Sequence, residues 1–142
     1  VGGNKKDGRE LREHFFSSLP AFASLRNKVS RASSRGYLKG LDGRKISIRS
    51  EHSALNSLLQ SAGAIVMKEA LDIFRIYVNG HNLSAHVVAN VHDEWQVEAK
   101  DSLTDTVGAY GVKSIIEAGT NLNLNCPLDG EYKIGDNWSE TH

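Results

Sequence analysis

Residues 84–99 read SAHVVANVHDEWQVEA, an apolar run, the polar triplet His92-Asp93-Glu94, and a second run of mixed but strand-forming residues. Two β-prone segments so close together predict an antiparallel hairpin, and the near-continuous apolar character of the first predicts that it is buried, with the acids at its turn. Upstream, the segment from Ser53 places Leu55, Leu58, Leu59, Ala62, Ile65, Val66, Ala70, Ile73, Phe74 and Tyr77 at helical spacing, with Ser53 as a cap and Asn79-Gly80 as the stop. Downstream, a helix is predicted from about Ser102 to Gly119, carrying Val107, Ile115 and Ile116. Helix, hairpin and helix in this order favour an α+β fold.

Further out, residues 36–50 (GYLKGLDGRKISIRS) contain an Asp42-Gly43 turn between short alternating runs, which predicts a second, tight hairpin. Before it, Leu11, Phe15 and Leu19, then Phe22, Leu25 and Val29, recur at helical spacing around Pro20. That pattern predicts two short basic helices, the first beginning near Arg9. The opening VGGNKKDG lacks apolar periodicity and starts on Val1, and is expected to be the cut edge of a longer chain.

The chain has 142 residues, 39% hydrophobic and 24% charged, which suits an ordinary folded domain with one modest core. No apolar stretch approaches the ~20 residues needed to span a bilayer, and there is no secretory leader pattern. A cytoplasmic setting is the default, that of the host if the gene is a phage's. Cys126 is the single cysteine, so an internal disulfide and a thiolate zinc cluster are excluded, and its expected role is packing. The net charge of zero conceals an asymmetry. Residues 1–50 hold twelve Lys and Arg against four Asp and Glu, a net +8, and the remainder carries −8. A basic arm that faces a polyanion and a basic arm that merely pairs with an acidic domain fit this equally well.

Two adjacent carboxylates and an imidazole at the apex of an apolar hairpin also have two readings. Asp often serves turn geometry alone. A hard divalent cation is the alternative, because magnesium takes one or two carboxylates plus substrate phosphates. On the long helix, His52, Asn56 and Gln60 lie four apart, so they share one edge and present uncharged hydrogen-bonding groups. Spacing by itself also allows an ordinary solvated edge.

Taken together, RSEHSALNSLLQSAGAIVMKEAL, VANVHDEWQV about thirty residues after its Asn-x-x-x-Gln, YLKGLDGRKISIRS and LDGEYKIGDNW resemble family A DNA polymerases, especially the replicative enzymes of short-tailed phages. The resemblance covers nearly the whole chain. It implies that residues 1–35 are the end-of-fingers helices and 36–142 the C-terminal portion of the palm. It also implies template-directed nucleotidyl transfer with two magnesium ions, one activating the primer 3′ hydroxyl and both neutralising charge on the transferred phosphate. Asp93 matches a metal-binding aspartate, Glu94 the adjacent supporting acid and His92 a primer-terminus contact. Asn56 and Gln60 match residues that touch base edges in the minor groove, where acceptors recur for every base pair. His52 holds a neighbouring position. Arg44, Lys45 and Arg49 would lie near the phosphate backbone or brace the palm.

The family's other metal-binding aspartate sits in a motif resembling Asp-x-Ser-x-x-Glu-Leu-Arg on a palm strand. Asp7-Gly8-Arg9-Glu10-Leu11-Arg12 only mimics it, without the serine, the spacing or a buried strand. The fingers helix that holds the deoxynucleoside triphosphate is also absent, so negligible activity is expected without an N-terminal polymerase portion. A stand-alone DNA-binding module and a non-catalytic relic are the alternatives. The ending WSETH resembles the family's C terminus, and His142 is expected to be a true end. The hairpin edge beside the missing strand is expected to promote self-association.

Overall fold

A computed structural model describes residues 4–142, which divide between Gln60 and Ser61 into two compact units. The secondary structure mixes helices with two antiparallel hairpins, in agreement with the α+β expectation.

The first unit opens with helix α1 (Lys5–Ser18), followed by α2 (Pro20–Ser33). α1 starts four residues before the position expected from periodicity. Its start is set by a cap: the Asn4 side chain accepts from the amides of Lys6 and Asp7 at 2.7 and 3.1 Å, and Asp7 accepts from the Asn4 amide at 3.0 Å. This reciprocal pair satisfies otherwise orphaned amides. The residues that mimic the strand motif thus lie on an exposed helix. Pro20 occupies the first turn of α2, where its missing N–H costs nothing. Phe16 stacks on Phe22 at 6.0 Å, with the guanidinium of Arg26 4.9 Å from the Phe16 ring.

Strands β1 (Tyr37–Lys39) and β2 (Lys45–Ser47) form the predicted hairpin, and Gly43 supplies the positive φ of its turn (+81°). Val29, Leu38 and Ala54 are the buried core of this unit, with Ala32, Ile48, Leu55 and Leu58 packed around them. Helix α3 (Glu51–Gly80) contributes its first turns here. Ser53 is not its cap. Its amide donates to the Ser50 hydroxyl at 3.4 Å and carbonyl at 3.2 Å, so Ser50 holds the cap position.

The second unit contains the rest of α3, the hairpin β3 (Ala85–Val91) and β4 (Glu94–Ala99), a 3₁₀ turn (Asp101–Leu103), helix α4 (Thr104–Asn121) and the single turn α5 (Trp138–Thr141). α3 is stopped by Asn82, whose left-handed φ of 51° lets the Leu83 amide reach the Val78 carbonyl at 2.9 Å. Asn123 ends α4 in the same way, with φ 52° and a bond from the Leu124 amide to the Gly119 carbonyl at 3.0 Å. The core is Phe74, Val78, Ala85 and Val107, surrounded by residues that include Leu71, Val87, Trp95, Val97 and Tyr110.

Three expectations about burial need correction. The β3–β4 hairpin is covered on one face only, because Ala85, Val87 and Ala89 turn inward while His86, Val88 and Asn90 are exposed. A continuous apolar run therefore does not mark a strand buried on both faces here. Pairing shifts at Val88, where Val87 faces Val97 but Ala89 faces Gln96, and the extra residue is 62% exposed. On the helices, Leu59 of α3 and Ile116 of α4 face outward, since their angular positions fall off the stripe that meets the core. Cys126 is exposed and does not pack in a core.

Candidate functional site

The triplet His92-Asp93-Glu94 is divided by the hairpin. His92 and Asp93 form a two-residue turn, and Glu94 is already the first residue of β4, paired with Val91. His92 adopts a positive φ of 55°, which histidine tolerates better than a β-branched residue. Both turn side chains are exposed, and among the described residues Asp93 has no hydrogen-bonded or ion-paired partner.

Glu94 has a different environment. Its Oε1 accepts from Gln96 Nε2 at 2.6 Å and from the Trp138 indole at 3.0 Å, while Oε2 meets Nδ1 of His142 at 3.0 Å. Thr141 Oγ1 donates to Gln96 Oε1 at 3.1 Å, tying α5 to β4 a second time. Donation from Gln96 first and His142 next holds the Glu94 carboxyl below its ordinary value; desolvation opposes them and Trp138 adds to them. The roles of Gln96, Trp138, Thr141 and His142 around this acid were not legible from spacing, because the tail lies 44–48 residues away in the chain.

Among the described residues no three His, Cys, Asp or Glu side chains gather where they could hold a metal ion. Asp93 offers one free carboxylate, a suitable ligand for a hard cation but not a complete site. Magnesium bound there would need further oxygen ligands from outside these residues.

In the first unit, His52, Asn56 and Gln60 are all exposed on the first turns of α3, four residues apart on one edge. The three cations of the first hairpin are not equivalent. Arg44 is ion-paired with Asp42 inside the turn, which commits it to bracing the loop. Against some desolvation, the Arg44 amide and guanidinium hold the Asp42 carboxyl below its usual range. Lys45 sits 4.8 Å from the Tyr37 ring centre, and Arg49 is exposed.

The chain is similar to known proteins along its whole length. The family model for DNA polymerase family A matches residues 1–140. The DNA-directed DNA polymerase of Escherichia phage Phieco32 is 34% identical over 149 residues, covering 100% of this chain and 24% of that protein. That of Escherichia phage T7 is 34% identical over 167 residues, covering 100% of this chain and 23% of the relative. The chain thus spans about a quarter of the length of these curated relatives. Among solved structures, the POL domain of Pol1 from M. smegmatis, in complex with DNA primer-template and dNTP, superposes with a TM-score of 0.74. At 18% identity over 81% of this chain and 23% of that one, it shows a shared fold.

Proposed function

Because the chain belongs to DNA polymerase family A, we propose that it is the C-terminal part of a template-directed DNA polymerase, active in nucleotidyl transfer once joined to an N-terminal polymerase portion. In this reading residues 1–35 are the end of the fingers and 36–142 the palm portion, and the protein works in the cytoplasm. The observation that carries it is an exposed, unengaged carboxylate, Asp93, at the apex of a hairpin in a chain matched to the family almost end to end.

Magnesium, when bound, supplies charge neutralisation at the transferred phosphate and activation of the primer 3′ hydroxyl. Asp93 is the ligand this chain contributes, and a second aspartate comes from the N-terminal portion. His92, with its backbone fixed in the left-handed region, presents its ring beside that ligand and contacts the primer terminus. Glu94 supports the site from β4. Asn56 and Gln60 offer amides to minor-groove acceptors of primer-template DNA, a contact that senses pair geometry without reading sequence. His52 extends the same edge. Lys45 and Arg49 are the cations of the first hairpin available to phosphates, and Arg44 braces the turn. The deoxynucleoside triphosphate is held by the N-terminal portion.

Primer extension with magnesium and four nucleotides tests this reading. The chain alone is expected to be inactive, and a mixture with a purified N-terminal family A fragment active. Asp93→Ala should lower extension by the mixture roughly a thousandfold or more, a loss of several kcal/mol of transition-state stabilisation. A mixture that forms a complex on DNA yet extends no primer would overturn the catalytic reading and leave a DNA-binding module, favoured by the net +8 of residues 1–50.

A further inference from the structure

Resting on the reading of Asp93 as a cation ligand, we propose that Trp138 and His142 are positioning residues for Glu94: with Gln96 they occupy both oxygens of its carboxylate, so that of two adjacent acids only Asp93 is left to face a divalent cation.

The geometry of α5 suits this task. Trp138 and His142 are four residues apart, so one turn of helix brings their ring N–H groups to the same face. One donor meets Oε1 at 3.0 Å and the other meets Oε2 at 3.0 Å, matching the two oxygens of a single carboxylate. The His142 amide bonds to the Trp138 carbonyl at 3.0 Å, which closes the turn that holds the two donors in register. The two rings also meet edge to face, 6.2 Å apart.

The turn is itself secured. Glu140 accepts from the Asp136 amide at 2.9 Å and from the Asn137 side chain at 2.6 Å, and Thr141 binds Gln96, the other donor to Glu94. A carboxylate gripped by three donors has few lone pairs left for a metal. Its neighbour, one residue away at the apex, keeps all of its own. Without the tail, a second carboxylate beside Asp93 would be free to rotate towards the same cation, and magnesium and manganese accept one or two carboxylates readily.

Manganese(II) binding to the complex of this chain with an N-terminal polymerase fragment, which supplies the further oxygen ligands, followed by water-proton relaxation, separates this inference from polymerase activity. Asp93→Asn should weaken the binding roughly tenfold or more, and Glu94→Gln should leave it nearly unchanged. The double variant Trp138→Phe/His142→Ala should bind manganese roughly threefold or more tightly, because a second carboxylate becomes available. Adding Glu94→Gln to the double variant should erase the gain. His142→Gln, which keeps an N–H donor, should behave as the unchanged chain does. His142→Ala alone, which leaves the Trp138 packing intact, should show a smaller gain and serves if the double variant does not fold.

Unchanged manganese affinity in both His142→Ala and the folded double variant would overturn the positioning role while leaving Asp93 a ligand. Binding indifferent to Asp93→Asn would overturn both this inference and the ligand assignment beneath it.

Discussion

Gly108 on α4 faces the ring of Tyr132 so closely that an added Cβ would stand 2.3 Å from Cδ2 and 2.5 Å from Cγ. These atoms are at the root of the ring, so the side chain cannot swing its tip away to make room. Gly111, one turn later, has open space there, with nothing within 4 Å of where a Cβ would stand. The pair makes a controlled comparison. Alanine gains about 1 kcal/mol over glycine in a helix interior, whereas overpacking costs about 1–3 kcal/mol. Gly111→Ala should therefore raise stability by up to about 1 kcal/mol, and Gly108→Ala should lower it by up to about 2 kcal/mol, as read from denaturant midpoints. Equal effects would show that Tyr132 does not pin the C-terminal segment to α4. At the same scale, the buried indole N–H of Trp95 has no hydrogen-bonding partner among the described residues, although its ring packs on Phe74 at 5.6 Å. Burial of its ring therefore comes with an unpaired donor, a cost that Trp138, with its N–H on Glu94, avoids.

Among the elements, α1 depends on its cap more than on packing. None of its residues is buried, and Leu11 is 72% exposed. Asn4→Ala removes the acceptor for two amides and should cost about 1 kcal/mol of helix stability, seen as faster amide exchange over residues 5–9. Unchanged exchange there would mean that the Phe16–Phe22 contact alone holds the helix. This cap was present in the sequence as Asn4 with Asp7 three residues later, but apolar periodicity, which begins further along, set the expected start. α3 shows the opposite case. Its stripe of apolar residues fixed its existence, while Ser50 in place of Ser53 at the start was settled by which hydroxyl reaches the free amides. The β3–β4 hairpin was legible as a hairpin, yet its turn is two residues and not three, which moves Glu94 from the apex into a strand and within reach of α5.

At the level of the whole chain, no helix among the described residues is long and apolar enough to cross a membrane. The β3–β4 sheet has two strands only, so each strand keeps one edge without a partner strand among the described residues. Val88 and Val91 on β3 are 62% and 37% exposed. Open edges with apolar side chains favour pairing. The chain alone is expected to sediment as a species larger than a monomer at high concentration, and to lose that tendency when an N-terminal polymerase fragment is added. A single monomeric boundary across the concentration range would count against the edge as a pairing surface.

Sequence by itself determined the family, the α+β class, the long helix, both hairpins and the placement of Asp93 and His92 at a turn. These are local properties, carried by 3.6- and 2-residue periods, turn residues and contiguous motifs. Only the tertiary structure decided which face of β3 is covered, that Val88 bulges outward, that Gly108 seats Tyr132, and that Glu94 is held by Trp138 and His142. Each of these depends on residues that meet through packing and not through spacing, and the tail reaches Glu94 across 44–48 residues of chain. Periodicity describes one element against an unspecified core, and it contains no term for the particular side chain on the other side.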